Sequence, residues 1–422
     1  MSASIDQTLI PATGIMKFKK NITFSHYSSF SLLLMSVLLL GAFARCSKKT
    51  EMAPDQNWVR VYDHSDFNRL FYSLDVKELP DNNFIILASS KIDTTVWPTP
   101  YLISTNSEGE ILWKVQTENY TSPVPGIIST NGGYFFFCMD NALGTNVLRI
   151  NADGSSPSLF KSFPQFTYPL FATQTSDNKI LMTSYNRLTR STVLTCFDSN
   201  FSIIWSKEYP GIENYEDKVR LHLTHQGDNI PFFAGETRSK TSGYYFVNGF
   251  YNFVFSLLFI NPVTGGLTGV INGIPYSAAA SSLIQRNDSS YILSRFDENQ
   301  NYINSKPLFS FTAISNITAI GGASWPEVDN HAIVKSLKTT INGKGIIIVS
   351  TVTRSNQVLL LFFDPDTGLL KTSRYFGSSY PLTLASVIST KEGGLAVLTH
   401  TYVAGRFSRI QLFKIPPEKL EF

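Results

Sequence analysis

Histidines, cysteines and one run of aromatics are the side chains with chemistry to offer in this 422-residue chain. His222 and His225 are the closest useful histidine pair. Read on a strand, two residues at that spacing point to opposite faces, so a metal there would need ligands from elsewhere. His64, His331 and His400 stand alone in the sequence. No G-x-S-x-G, H-E-x-x-H or Walker loop occurs. Asp288 and Asp297-Glu298 lack the regular oxygen spacing of a calcium loop. No catalytic residue, metal or cofactor is therefore expected. Cys138 and Cys196 fall inside apolar runs without a C-x-x-C pattern and are expected as buried free thiols. Residues Tyr244 to Phe255 pack seven aromatics into twelve positions. Asn248-Gly249 within them reads as a type I′ turn, so an added hairpin projecting from its sheet is expected. Its rings either pack on a neighbouring sheet or offer Tyr244, Tyr245, Phe250 and Tyr251 to a sugar or protein partner.

The elements that must position these residues repeat. Phe71–Val76, Phe84–Ala88, Tyr101–Ser104 and Ile111–Val115 are four short apolar or alternating runs. Turns at Pro80-Asp81-Asn82-Asn83 and Asn106-Ser107-Glu108-Gly109 separate them. That pattern predicts a four-stranded antiparallel meander. One such sheet cannot bury both its faces, so copies must stack. Further units begin near Gly126, Tyr168, Val219, Ala280, Ile333 and Leu384. In the fifth, the later strands are expected at Leu308–Ala313 and Ile317–Gly321. The third closes on Ile203-Ile204-Trp205-Ser206-Lys207, a near copy of Ile111-Leu112-Trp113-Lys114. The last unit is one strand short, and Trp58-Val59-Arg60-Val61-Tyr62 is one to spare. The expected fold is all-β: a β-propeller of about seven four-stranded antiparallel blades, closed by the N-terminal strand. Residues 57–422 are expected to form that single domain.

Before it lies a different composition. Met16-Lys17-Phe18-Lys19-Lys20 is a basic opening, and Ser28 to Ala44 is an apolar run. Residues 1–45 read as a secretory signal peptide, with Met16 the better start. The apolar run is short for a membrane span. Two cleavage points are open: before Cys46, which lipid would then modify, and after Ala42-Phe43-Ala44. The lipid-modified Cys46 is the favoured reading, with 46–56 as a tether. Residues 1–45 hold four of the 35 basic and one of the 32 acidic residues, so the remainder is neutral, with 31 of each. No basic stripe remains to hold a phosphate backbone, and nucleic-acid binding is not expected.

Two resemblances follow. Leu40-Gly41-Ala42-Phe43-Ala44-Arg45-Cys46 resembles a bacterial lipobox, and Ser47-Lys48-Lys49-Thr50-Glu51 looks like the tether of many Bacteroidetes lipoproteins. Arg45 and Phe43 depart from the usual residues of that motif. Thr130-Asn131-Gly132-Gly133-Tyr134-Phe135, Thr390-Lys391-Glu392-Gly393-Gly394-Leu395 and Phe363-Asp364-Pro365-Asp366-Thr367-Gly368-Leu369 resemble repeats of propellers related to the quinoprotein dehydrogenases. These motifs specify a fold and not a chemistry. The pyrroloquinoline quinone enzymes of that group need a cation site, stacking aromatics and a catalytic carboxylate, a set absent from these motifs. The lipobox resemblance implies a lipoprotein of the cell envelope, on the outer membrane, with the periplasmic and surface faces both open; a monomer is expected. Its expected role is non-enzymatic, as a binding or scaffold module for a protein or glycan. The alternative is an enzyme, a degenerate quinoprotein or hydrolase with its site dispersed over several blades. Carboxylates or histidines clustered at one channel mouth would favour the enzyme.

Overall fold

A computed structural model describes residues 57–62, 68–225, 230–239, 242–275, 277–287, 289–298, 300–330, 332–377, 380–403 and 407–420. The signal segment, Cys46, the tether, His64, Asp288 and His331 lie outside the described residues.

Strand β1 spans Trp58–Tyr62. Blade 1 is β2 (Arg69–Glu78), β3 (Phe84–Ile92), β4 (Thr99–Thr105) and β5 (Ile111–Gln116). Blade 2 is β6 (Ile128–Thr130), β7 (Gly133–Met139), β8 (Gly144–Ile150) and β9 (Ser158–Thr167). Blade 3 is β10 (Pro169–Gln174), β11 (Ile180–Asn186), β12 (Ser191–Phe197) and β13 (Ile203–Pro210). Helix α1 (Glu216–Leu223) follows. Blade 4 is β14 (Ala234–Arg238), β15 (Gly243–Tyr251), β16 (Val254–Ile260) and β17 (Leu267–Asn272). Blade 5 begins with β18 (Ala278–Asn287), β19 (Ser290–Asp297) and β20 (Gln300–Asn304). Strand β21 (Ile314–Asn316) then leaves it to pair in parallel with β17, and β22 (Ala323–Ser324) completes blade 5. Blade 6 is β23 (Lys335–Ile341), β24 (Lys344–Val352), β25 (Val358–Phe363) and β26 (Leu370–Phe376). Blade 7 is β27 (Leu382–Ser389), β28 (Leu395–Val403) and β29 (Phe407–Ile415), with β1 as its outer strand. The chain is a seven-bladed β-propeller.

The middle strands are apolar without a break, and the reason is geometric. Side chains alternate along a strand, and in a propeller both faces of every sheet meet a neighbouring blade. In β24, Ile346 and Ile348 join the core shared with blade 7, while Ile347 and Val349 join the core shared with blade 5. Seven apolar clusters result, one for each blade-to-blade interface. Cys138 and Cys196 are free, as expected, and buried in two of them. Burial pushes both thiols up, Cys196 to about 11.

The ring closes where the spare strand was expected to close it. Trp58 to Tyr62 pair antiparallel with Lys414 to Ile410. Polar groups cross the same seam: Phe71 N donates to Ser408 Oγ at 2.8 Å, and Ser73 Oγ to the Thr399 carbonyl at 2.7 Å. One contact recurs around the rim. The indole of Trp113 donates to the Ala152 carbonyl of the next blade at 3.1 Å, and that of Trp205 to Pro262 at 3.0 Å. Trp58 does the same to Ser107 of blade 1 at 3.2 Å, so the closing strand carries the same clasp. Each ring lies where a Cβ on the turn glycine would sit: Gly154 (φ 77), Gly265 (φ 69) and Gly109 (φ 75). These positions require glycine twice over, by conformation and by contact.

Three local expectations are corrected. Val219 begins no strand; it is a buried residue of α1, and the first strand of blade 4 is β14. In blade 5, Leu308–Ala313 is not a strand and Ile317–Ile320 is a 3-10 turn; the strand between them serves blade 4 instead. Asn248-Gly249 is not a turn but lies inside β15. Asn248 is buried and donates from Nδ2 to the carbonyls of Pro231 and Ala280, both at 2.9 Å. A Cβ on Gly249 would meet the Thr192 side chain at 2.6 Å. The pair is there for a buried bridge and a close approach; the hairpin turns at Asn252, with φ 50.

Candidate functional site

The innermost strand of each blade lines the central channel, and several of these strands are bulged. In β2, β10 and β27 an extra residue interrupts the pairing: Leu74, Leu170 and Ala385. A bulge re-aims side chains locally, and all three line a chamber of about 210 Å³ on the channel. A second chamber, of about 290 Å³, shares Leu74, Pro125, Lys335 and Ala385 with the first. Lys335 of blade 6 thus stands at the neck between them.

The first chamber gathers histidines that the sequence keeps apart. His222 lies in the last turn of α1, and His225 just beyond it with φ 55. Because this segment is helical and then turns sharply, both rings enter one chamber instead of opposing faces of a strand. His400 of β28 joins them, so it is not isolated. The His225 ring stacks on Tyr72 at 4.3 Å, and His400 meets the same ring edge-on at 5.8 Å. His225 Nε2 is 3.3 Å from Ser89 Oγ, and Lys91 donates to the Thr224 carbonyl at 3.4 Å. His400 is buried, and its Nδ1 has no hydrogen-bond partner. Among the described residues these groups do not form a set that could hold a metal ion.

Burial dominates the electrostatics. It lowers His400 to about 4. It lowers His222 to about 4, with Lys335 adding to the effect. His225 falls to about 3, through burial and then the neighbouring His222, His400 and Lys91. His222 and His225 keep some surface toward the chamber but sit deep in the protein, so the loss of bulk water governs. Burial also lowers Lys335, against the pull of Asp75. Tyr72 is raised to about 12 by burial, then by Tyr402 and Asp93. Asp75 holds three blades together at the second chamber. Its Oδ1 accepts from Val76 N at 2.9 Å and Ser386 Oγ at 2.8 Å; its Oδ2 accepts from Ile127 N at 2.8 Å.

The aromatic run is divided by the fold. Tyr245 is buried near Trp205, their rings 6.3 Å apart. Phe250 is buried and stacks on Tyr215 at 4.0 Å. Tyr244 is half-buried and stacks on Phe311 at 4.7 Å, and half-buried Tyr251 packs on the blade 3/4 core. The segment does not project; it supplies the two middle strands of blade 4. Its tip, with α1, instead forms an open apolar groove of about 230 Å³. Leu221, Pro231, Phe250, Phe253, Phe255 and Ile274 line it, and Phe253 is 55% exposed. The sequence did not point to Phe253 or Leu221 as groove residues, nor to the three histidines as one cluster. Leu221 reaches the groove and His222 the chamber because both lie on α1, a helix of eight residues.

No protein-family model matches the chain. No curated protein matches it either. Among solved structures it is similar to the β-propeller domain of the Trilobed protease from Pyrococcus furiosus, described as having an open velcro topology. That likeness has 11% identity and a TM-score of 0.46, covering 82% of this chain and 94% of that one. A protein of unknown function from Bacteroides caccae gives 12% identity and a TM-score of 0.38 over 76% and 88%. An acylaminoacyl peptidase from Pyrococcus horikoshii gives 10% and 0.43, over 81% of this chain and 52% of that one. None of these similarities carries a function to this chain.

Proposed function

We propose that the protein is a lipid-anchored β-propeller of the cell envelope that captures an apolar segment of a protein partner. The observation that carries the reading is the open groove between α1 and the tip of β15–β16, with Leu221 and Phe253 exposed at 45% and 55%. Exposed apolar surface of this kind marks interaction sites. A protein segment suits it better than a glycan, because an apolar lining leaves sugar hydroxyls stripped of water and unpaired. Anchoring rests on the leader and on Cys46. A diacylated cysteine carries enough methylenes to hold a protein on a membrane. The anchored chain acts as a monomer on the outer membrane.

The test places a photo-crosslinking residue at Phe253 in cells. A discrete adduct that disappears on Leu221→Ser supports the groove; no adduct, or one indifferent to that change, contradicts it. Mass spectrometry of the membrane fraction should find an acylated N-terminal Cys46. A chain beginning at Arg45, or an intact leader, would contradict the anchor.

The alternative, an enzyme with a dispersed site, has one observation in its favour: His222, His225 and His400 share one chamber. A turnover abolished by His400→Gln while the Phe253 adduct persists would favour it.

A further inference from the structure

The channel is distinct from the groove and has a chemistry of its own. Among the described residues lining its two chambers, Asp75 is the only carboxylate. Three donors already occupy it, from blades 1, 2 and 7. Against it stand Lys335 at the neck and Lys77 in the second chamber. No described protein acceptor lies within hydrogen-bond reach of the Lys335 ammonium; Asp75 acts on it only through space, and the Phe171 ring lies 5.8 Å away, measured to the centroid. A partly buried cation without an acceptor is costly. The first chamber adds the buried, unpartnered Nδ1 of His400 beside the apolar walls of Leu170, Leu223 and Leu384.

From this geometry we infer that the channel binds a small organic anion, a mono- or dicarboxylate, with a carboxylate on Lys335 and its carbon body in the histidine chamber. An ammonium–carboxylate contact is charge-assisted and strong where water is scarce. The bound anion gives Lys335 an acceptor that no described residue offers, and His400 Nδ1 supplies a second polar contact. At the Tyr72 end the His225 ring stacks on Tyr72 and Lys91 holds the Thr224 carbonyl, so entry is assigned to the Lys77 side. Lys77 lies five residues beyond Tyr72 on β2, about 16 Å along an extended strand. The chamber volume, about 210 Å³, suits a body of a few carbon atoms. The lowered affinity of Lys335 for its proton, caused by burial, would be reversed by such a ligand.

Calorimetry on the full chain at low salt, with acetate, succinate and inorganic phosphate as probes, tests this. Acetate or succinate should bind saturably. Lys335→Met should weaken binding about 10- to 100-fold, the usual weight of a hydrogen bond to a charged group. His400→Gln should weaken it several-fold. If Lys335→Met does not fold, Lys335→Arg keeps the charge and should bind measurably but less tightly. In the unaltered chain, succinate should shield Lys335 from an amine-acylating reagent, read by mass spectrometry. The inference is overturned if neither carboxylate binds, if phosphate alone binds, if Lys335→Met binds as well as the unaltered chain, or if Lys335 is acylated equally with and without succinate.

Discussion

The rim and the channel of this propeller are built on opposite plans. At the rim, one blade holds the next through a contact between an outer strand and an adjacent turn, and the device repeats. Trp58, Trp113 and Trp205 each donate an indole hydrogen bond to the following blade and lie over a turn glycine. Where the device is replaced, a substitute occupies the same place. Arg286, on the first strand of blade 5 and not its outer one, reaches the same turn: its Nη1 donates to the Pro365 and Asp366 carbonyls of blade 6 at 2.8 and 3.1 Å, beneath Gly368. Between blades 2 and 3, Phe160 packs on Phe201, which takes the positive φ of 58 itself. The channel is built once. Blades 1, 3, 6 and 7, the segment 123–125 and α1 with its turn all contribute to the first chamber, blades 1, 3 and 7 through a bulge residue and blade 6 through Lys335. Repetition stabilises a ring, and a unique convergence makes a site.

The largest expected effect comes from removing the closing strand. A chain that begins at about residue 66 loses β1, its pairing with β29 and the Trp58 clasp. Two sheet edges are then exposed, so this chain should aggregate or melt far below the full protein in a thermal scan. Unchanged melting would mean that the ring does not depend on the seam.

Single clasps should be graded. Trp205 is 8% exposed and Trp58 5%, whereas Trp113 is only half-buried. Trp205→Ala should cost about 3–5 kcal/mol in denaturant unfolding, as large buried truncations do, and Trp113→Ala clearly less. Equal costs would break the link between clasp and burial. In blade 4, Tyr245→Ser and Phe250→Ser should fall in the same large class, since both rings are buried. Phe253→Ser, at 55% exposure, should leave melting nearly unchanged.

The rim was legible in the sequence because its signals are local. A turn such as Asp364-Pro365-Asp366-Thr367-Gly368 declares itself within five residues; Asp364 Oδ1 accepts from the Asp366 and Thr367 amides at 3.0 and 2.8 Å. Those amides, above all Thr367, with Lys371, hold its carboxyl well below the usual range. The surplus strand at Trp58 could be matched to a deficit at Arg409–Lys414 by counting. Asn248-Gly249 misled because the same dipeptide serves two physical needs. At a turn it supplies positive φ; inside β15 it supplies a buried amide and the absence of a Cβ. The channel was illegible for another reason. His222 and His400 are far apart in the chain and meet only because α1 interrupts the blade rhythm. A short helix between two sheets leaves no periodic trace long enough to read.

The channel's electrostatics set the smallest effect, confined to acid. His222, His225 and His400 titrate in the folded protein at about 4, 3 and 4. In the unfolded chain they titrate near ~6.5. As pH falls below ~6.5 the unfolded state takes up protons first, so the stability these rings contribute is whole above that pH and drains away toward pH 4. His400→Gln should flatten this part of the stability–pH curve in chemical denaturation, with little change at neutral pH. An unaltered slope would separate His400 from the acid response.

That the propeller brings three remote histidines into one chamber sheltered from water is measured most directly by NMR. Imidazole resonances of His222, His225 and His400 should stay those of neutral rings from pH 8 down to about 5, and move only toward pH 4 and below. Midpoints near the ordinary ~6.5 for these rings in the folded protein would contradict the chamber.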